Sequence, residues 1–136
     1  MTTMTMNWWA VIVAAIVYMA LGAFWYSPAL FGKTWLKGIG KTQEQLKAGF
    51  SPLSFVWSLV FSFLAAYGIA RICVWAMLSG VWNGIVVGLL AGVCFVLSTI
   101  GVNDLFEQRP RQLTFLNVLY PLVGYVIIGI IVGAWH

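Results

Sequence analysis

The sequence predicts an all-α membrane protein, a polytopic four-helix bundle with a short interfacial helix between its first and second spans. Three observations carry this reading. The 136 residues are 62% hydrophobic and only 7% charged, where a soluble domain carries roughly 25% charged residues. The apolar residues fall into long runs, and about 20 such residues cross a bilayer. Tryptophan and tyrosine gather at the ends of those runs, as aromatic belts do at membrane interfaces. Four spans account for residues 1–136 as a single transmembrane domain.

The first span is predicted over about residues 7–26. Trp8 and Trp9 mark one interface, and Trp25 and Tyr26 the other, a separation of about 17 residues that fits the hydrocarbon thickness at 1.5 Å per residue. Ser27-Pro28 ends the helix, because the residue before proline is pushed out of the helical region. Met1–Asn7 holds no Lys or Arg. A cleaved secretory signal needs a basic start, so this span is expected to stay attached.

Residues 28–49 form the longest polar stretch, with Lys33, Lys37, Lys41 and Lys47 against one acid, Glu44. Its first part, Leu30 to Ile39, places greasy residues among lysines and is expected to lie at the interface with the lysines snorkelling out. Thr42-Gln43-Glu44-Gln45 is a capping-box pattern, which predicts a short helix to Ala48, stopped by Gly49. The second span, about 52–72, opens with Ser51 as cap and Pro52 in the first turn. Its small residues Ser54, Ser58, Ser62, Ala66 and Ala70 recur every four. Arg71 falls at the far interface, where it either snorkels or serves as a functional cation.

The third span, about 80–101, carries Gly80, Gly84, Gly88 and Gly92. The fourth, about 113–135, carries Gly129 and Gly133. Helix association in lipid depends on close contact, which small residues at this spacing permit. Glycine costs about 1 kcal/mol of helix propensity against alanine, so the register is read as a packing feature. It serves either one bundle or contact between copies or with another protein. Between the last two spans lies the one dense polar cluster: Asn103, Asp104, Glu107 and Arg109, with Asn117 and Tyr120 one to two turns into the fourth span. It is either a salt bridge that fixes the hairpin or a site for an ion, a proton or a small polar ligand. His136, the sole histidine, is expected at the interface or in water.

Charge and composition narrow the function. The net charge of +4 forms no basic stripe on a soluble face, so no nucleic-acid partner is expected. Lys and Arg lie in the first and third connections, with Arg71 alone opposite. Basic loops stay cytoplasmic, which places both termini outside, on the periplasmic side of a bacterial inner membrane. Cys73 and Cys94 are read as small hydrophobes. No catalytic triad, metal-binding HExxH or phosphate loop is present, so neither enzyme activity nor a metal or cofactor is expected. Bound lipid or pigment is compatible with the composition, but a metal-bearing pigment would find almost no axial ligand. The lipid bilayer is the certain partner.

Two motifs resemble a known family. Trp25-Tyr26-Ser27-Pro28-Ala29-Leu30-Phe31-Gly32-Lys33-Thr34-Trp35 is similar to the W-Y-S-P-x-x-F-G-x-x-W signature of the domain-of-unknown-function 1761 family. Asn103-Asp104-Leu105-Phe106-Glu107-Gln108-Arg109-Pro110, followed by Asn117 and Tyr120, resembles its N-x-x-F-E-x-R-P…N-x-x-Y segment. The resemblance implies a small four-helix, mostly bacterial membrane protein and assigns no activity. It also implies glycine and often histidine on either side of the last tyrosine, where this chain has Leu119 and Pro121. Two functions are expected: a structural or accessory subunit, packing with copies of itself or with a larger membrane complex, and a small oligomeric channel or transporter with its polar site at the cytoplasmic end of the third and fourth spans.

Overall fold

The computed structural model describes residues 5–135; His136 lies outside them. The helices are α1 (Trp8–Trp25), α2 (Gly32–Ile39), α3 (Gln43–Gly49), α4 (Pro52–Trp75), α5 (Val81–Ala91), α6 (Ser98–Glu107) and α7 (Arg111–Ala134). A π-helical turn, Gly92–Leu97, joins α5 to α6. With that turn, α5 and α6 form one span, so four helical segments are long and apolar enough to cross a membrane. The chain is an all-α membrane bundle.

Local chemistry sets most boundaries. Asn7 caps α1 by accepting the Ala10 N–H at 3.2 Å, and its amide donates to the Trp135 carbonyl, tying the two ends of the chain together. Thr42 and Gln45 close a reciprocal capping box on α3, and Ser51 and Ser54 do the same for α4 with Pro52 in its first turn. The extent of the elements differs from expectation in several places. The segment before Thr42 is itself helical, giving two short helices where one was expected. Gly49 is the last residue of α3, and the extended Phe50 ends it. The second span continues to Trp75, because Ile72–Trp75 contains no breaker. It closes where Met77 turns left-handed (φ 55°) and the Leu78 N–H reaches the Cys73 carbonyl at 2.8 Å.

The third span also differs: it runs on to Glu107 and carries the π turn. Asp104 follows Gly92 by three turns of four residues. In an unbroken α-helix that spacing leaves it about 120° away from the glycine face, and the extra residue of a π turn reduces this to about 20°. Asp104 is accordingly buried. The hydroxyls of Ser98 and Thr99 bond to the Phe95 carbonyl within this turn, the back-bonding that lets small hydroxylated residues distort a helix.

The bundle has two unlike ends: a terminal end at Asn7 and Trp135, and a basic end holding the lysine-rich connection and the α6–α7 turn. The core lies toward the terminal end. Ala10, Val11, Ala14 and Ala15 of α1 cluster there with Ala66, Ile69, Ala70 and Cys73 of α4, Val87 of α5, and Ile128 and Val132 of α7. α5 lies along α7 at backbone distance. A Cβ on Gly84 would fall on the Gly129 carbonyl, one on Gly129 on the Gly84 carbonyl, and one on Gly88 on the Tyr125 carbonyl. Gly80 is outside the helix at φ 93°, and its N–H donates to the Gly133 carbonyl at 2.9 Å. Gly92 faces Leu122 of α7. The glycines of the third and fourth spans thus face one another within one chain. Arg71 is near the terminal end, donating from Nε to the Tyr67 hydroxyl at 3.2 Å with its guanidinium over the Tyr67 and Trp75 rings.

Gly84→Ala is expected to cost at least about 1–3 kcal/mol, the range for overpacking. Gly101→Ala, where nothing lies within 4 Å of the new methyl, should be neutral or stabilising by up to about 1 kcal/mol. Unfolding midpoints of the two variants in one detergent check the contrast.

Candidate functional site

At the basic end α1 and α4 part, and a cavity of about 700 Å³ opens between them and α7. α1 supplies Tyr18, Met19, Gly22, Ala23 and Tyr26. α4 supplies Phe55, Ser58, Phe61, Ser62 and Ala65, and α7 supplies Tyr120 and Tyr125. Trp35 of α2 and Leu46, Lys47 and Phe50 from the α3 region form a roof. The volume falls within the about 300–1,000 Å³ usual for small-molecule sites. Ala23, Phe55 and Phe61 are exposed, apolar and close to the cavity, so its open rim faces the hydrocarbon.

The first family-like motif builds the roof. The Ser27 carbonyl accepts the N–H groups of Leu30 (3.1 Å) and Gly32 (2.8 Å), the Trp25 carbonyl accepts that of Phe31, and the Ser27 hydroxyl donates to the Phe24 carbonyl at 2.6 Å. A Cβ on Gly32 would lie 2.5 Å from the Ser27 carbonyl carbon and oxygen, so the turn closes only around glycine. Pro28 is exposed at the bend, and the chain then runs into α2. Trp25 packs its ring on Phe31, with centroids 4.7 Å apart, and Trp35 comes within 4.7 Å of Tyr26.

The second motif contributes Tyr120 to the wall and Asn117 behind it. Asn117 Oδ1 accepts the Tyr26 hydroxyl at 2.9 Å, and the Tyr120 hydroxyl donates to the Tyr18 carbonyl at 2.9 Å. Gly22 makes the latter bond accessible, since a Cβ there would lie 2.5 Å from the Tyr120 hydroxyl oxygen. The rings form a continuous ladder from roof to mid-bundle. Centroid separations are 4.7 Å from Trp35 to Tyr26, 5.6 Å to Tyr120, 4.8 Å to Tyr18 and 5.7 Å to Tyr125, two of the contacts being edge-on, the arrangement aromatic quadrupoles favour. Pro121 follows Tyr120 inside α7 and, lacking an N–H, removes the bond that would close on the Asn117 carbonyl.

The rest of the polar cluster stands apart from the cavity. Thr114 donates its hydroxyl to Asp104 Oδ2 at 2.6 Å. Arg109 Nε lies 2.6 Å from Glu107 Oε2 and 3.8 Å from Asp104 Oδ1. This hydrogen bond to Glu107 holds the Arg109 pKa above its ordinary value. The Arg109 N–H closes on the Asp104 carbonyl at 3.0 Å, and Gln108 turns left-handed. These contacts lock the α6–α7 turn. Asn103 is exposed. The sequence grouping therefore divides, with Asn103, Asp104, Glu107 and Arg109 toward the turn, Tyr120 lining the cavity and Asn117 bonded behind it to Tyr26. On α4, the Ser58 hydroxyl donates to the Ser54 carbonyl at 2.8 Å and the Ser62 hydroxyl to the Ser58 carbonyl at 2.7 Å. Ser58 and Ser62 line the cavity, while Ala66 and Ala70 of the same stripe pack in the core.

Sequence reasoning missed Tyr18, Lys47 and the phenylalanines of α4. Tyr18 does leave a signal: it is a polar aromatic in the middle of a span, far from either belt.

If the Tyr26–Asn117 bond anchors the roof, Tyr26→Phe and Asn117→Leu should each destabilise the protein by about 1–3 kcal/mol, the cost of an orphaned buried partner. The double variant should lose less than the sum of the two, which a double-mutant cycle measures directly.

The chain matches the family described as Protein of unknown function (DUF1761) over residues 9–133. No curated protein and no solved structure matches it. The matched region takes in all four spans, the roof turn and both arms of the aromatic ladder, and the chain belongs to the DUF1761 family.

Proposed function

We propose that this protein is a non-enzymatic binding protein of the bacterial inner membrane, holding one membrane-soluble small molecule in the cavity at its basic end. The single observation that carries the reading is the cavity itself: about 700 Å³, walled by three spans and roofed by α2 and α3. Helices in lipid gain from close contact, and the terminal half of this bundle is closed by alanine and glycine. The basic half departs from that rule, and the departure is braced by hydrogen bonds at Tyr26 and Tyr120. Lys33, Lys37, Lys41, Lys47, Arg109 and Arg111 all lie at this end, which supports a cytoplasmic location for it and a periplasmic one for both termini.

A second reading, an accessory subunit or self-associating bundle, draws support from α6. Leu105 and Phe106 are 80% and 86% exposed there, and the span that contains them is the least buried of the four. The glycine stripes no longer favour this reading, because they face each other within one chain.

Native mass spectrometry from a mild detergent tests both. The binding reading expects a monomeric chain with one small-molecule adduct, lost in Ala65→Phe, which fills the cavity. A bare chain would overturn it. A second protein at fixed stoichiometry, with no adduct, would replace it by the accessory reading.

A further inference from the structure

We propose that the cavity takes a single-chain anionic amphiphile, with its hydrocarbon tail among the tyrosine rings and its carboxylate or phosphate head on Lys47. The inference rests on the binding reading above and names the class of ligand.

The interior favours hydrocarbon. The hydroxyls of Tyr26, Tyr120, Ser58 and Ser62 are spent on Asn117 or on backbone carbonyls, so these side chains present ring faces and methylenes to a guest, and the hydroxyls of Tyr18 and Tyr125 are the polar atoms left in a wall that is otherwise apolar. A polar tail would find few donors to replace the water it gave up. The rim favours an anion. Among the described residues, Lys47 is the only charged one lining the cavity. It is exposed, and among the described residues no carboxylate pairs with it. The connection that carries it holds four lysines and one acid, so the surrounding field is positive as well. The apolar side of the rim gives a chain from the adjacent leaflet a lateral way in, with its head kept at the interface where Lys47 lies. A volume of about 700 Å³ suits one chain in the about 300–1,000 Å³ range of small-ligand sites, and a two-chain lipid would leave one tail outside.

The experiment uses the full chain in phosphatidylcholine vesicles with spin-labelled probes, reading the immobilised fraction by electron paramagnetic resonance. The probes are stearate, 1-stearoyl lysophosphatidate, neutral methyl stearate and two-chain phosphatidylglycerol. Stearate or lysophosphatidate should be immobilised more strongly than methyl stearate, and which of them leads tells whether the head is a carboxylate or a phosphate. Lys47→Gln should lower the anionic preference about fivefold, the effect of roughly 1 kcal/mol per interfacial lysine, whereas Lys33→Gln should leave it in place. Ser58→Leu, which narrows the tail site and gives up the side-chain bond to the Ser54 carbonyl, should lower the immobilised fraction of acid and ester alike; Ala65→Phe, which breaks no side-chain bond, is the second such variant. Equal immobilisation of stearate and methyl stearate, with both reduced by Ser58→Leu, would overturn the anionic assignment and leave the binding function standing. Phosphatidylglycerol held as strongly as stearate would overturn the single-chain assignment. No immobilisation of any probe would remove both.

Discussion

The carbonyl of Gly129 occupies the place where a Cβ of Gly84 would stand, and that approach of two backbones is the constraint on which the bundle depends. In water, apolar burial pulls helices together with little regard to detail. In lipid that force is absent, and helices stay together only where their surfaces touch closely. Gly84, Gly88 and Gly129 let α5 and α7 meet at main-chain distance, and Gly80 adds a hydrogen bond to Gly133. α1 and α4 are then laid on this pair through Ala10, Ala14, Ala15, Ala66 and Ala70. Small residues thus fix the helices at the terminal end.

At the basic end the same helices carry large aromatic residues. Tyr18, Tyr26 and Tyr120 stack edge to face and bond to Asn117 and to the backbone of α1, so they cannot collapse into the gap they create. Along α1 and α7, small side chains at the terminal end give way to tyrosines at the basic end, where the bundle stays open beside α4. The turn around Gly32 returns the chain over its open end, and the cavity follows from the fold without any further device.

Much of this was legible in the sequence. The spans, the capping at Thr42 and Ser51 and the two motifs all follow from local chemistry. The glycine stripes could be read as packing surfaces, but what they pack against is a tertiary matter that periodicity does not contain. The π turn was hidden because residues 92–97 carry no spacing signal for it, and Asp104 faces α7 only after that turn shifts the register. The polar cluster drew attention because charges are rare here. The cavity did not, because Tyr18, Phe55 and Phe61 look like ordinary span residues, and Ser58 and Ser62 like part of a packing stripe, until α1 and α4 are seen to part. Of the cluster, Tyr120 faces that gap, and Asn117 holds Tyr26 from behind. The carboxylates are occupied with Thr114 and Arg109 in holding a turn.

The proposed binding function rests on the gap that α1 and α4 leave at the basic end. The central claim is the gap itself, and a crystal structure of the delipidated protein under xenon pressure tests it most directly, since dry apolar cavities take up xenon. The account predicts a xenon peak bounded by Tyr18, Ser62 and Ala65, with Trp35 above it. An ordered structure in which α1 and α4 touch through Ser58, Ser62 and Ala65, with no xenon between them, would contradict it.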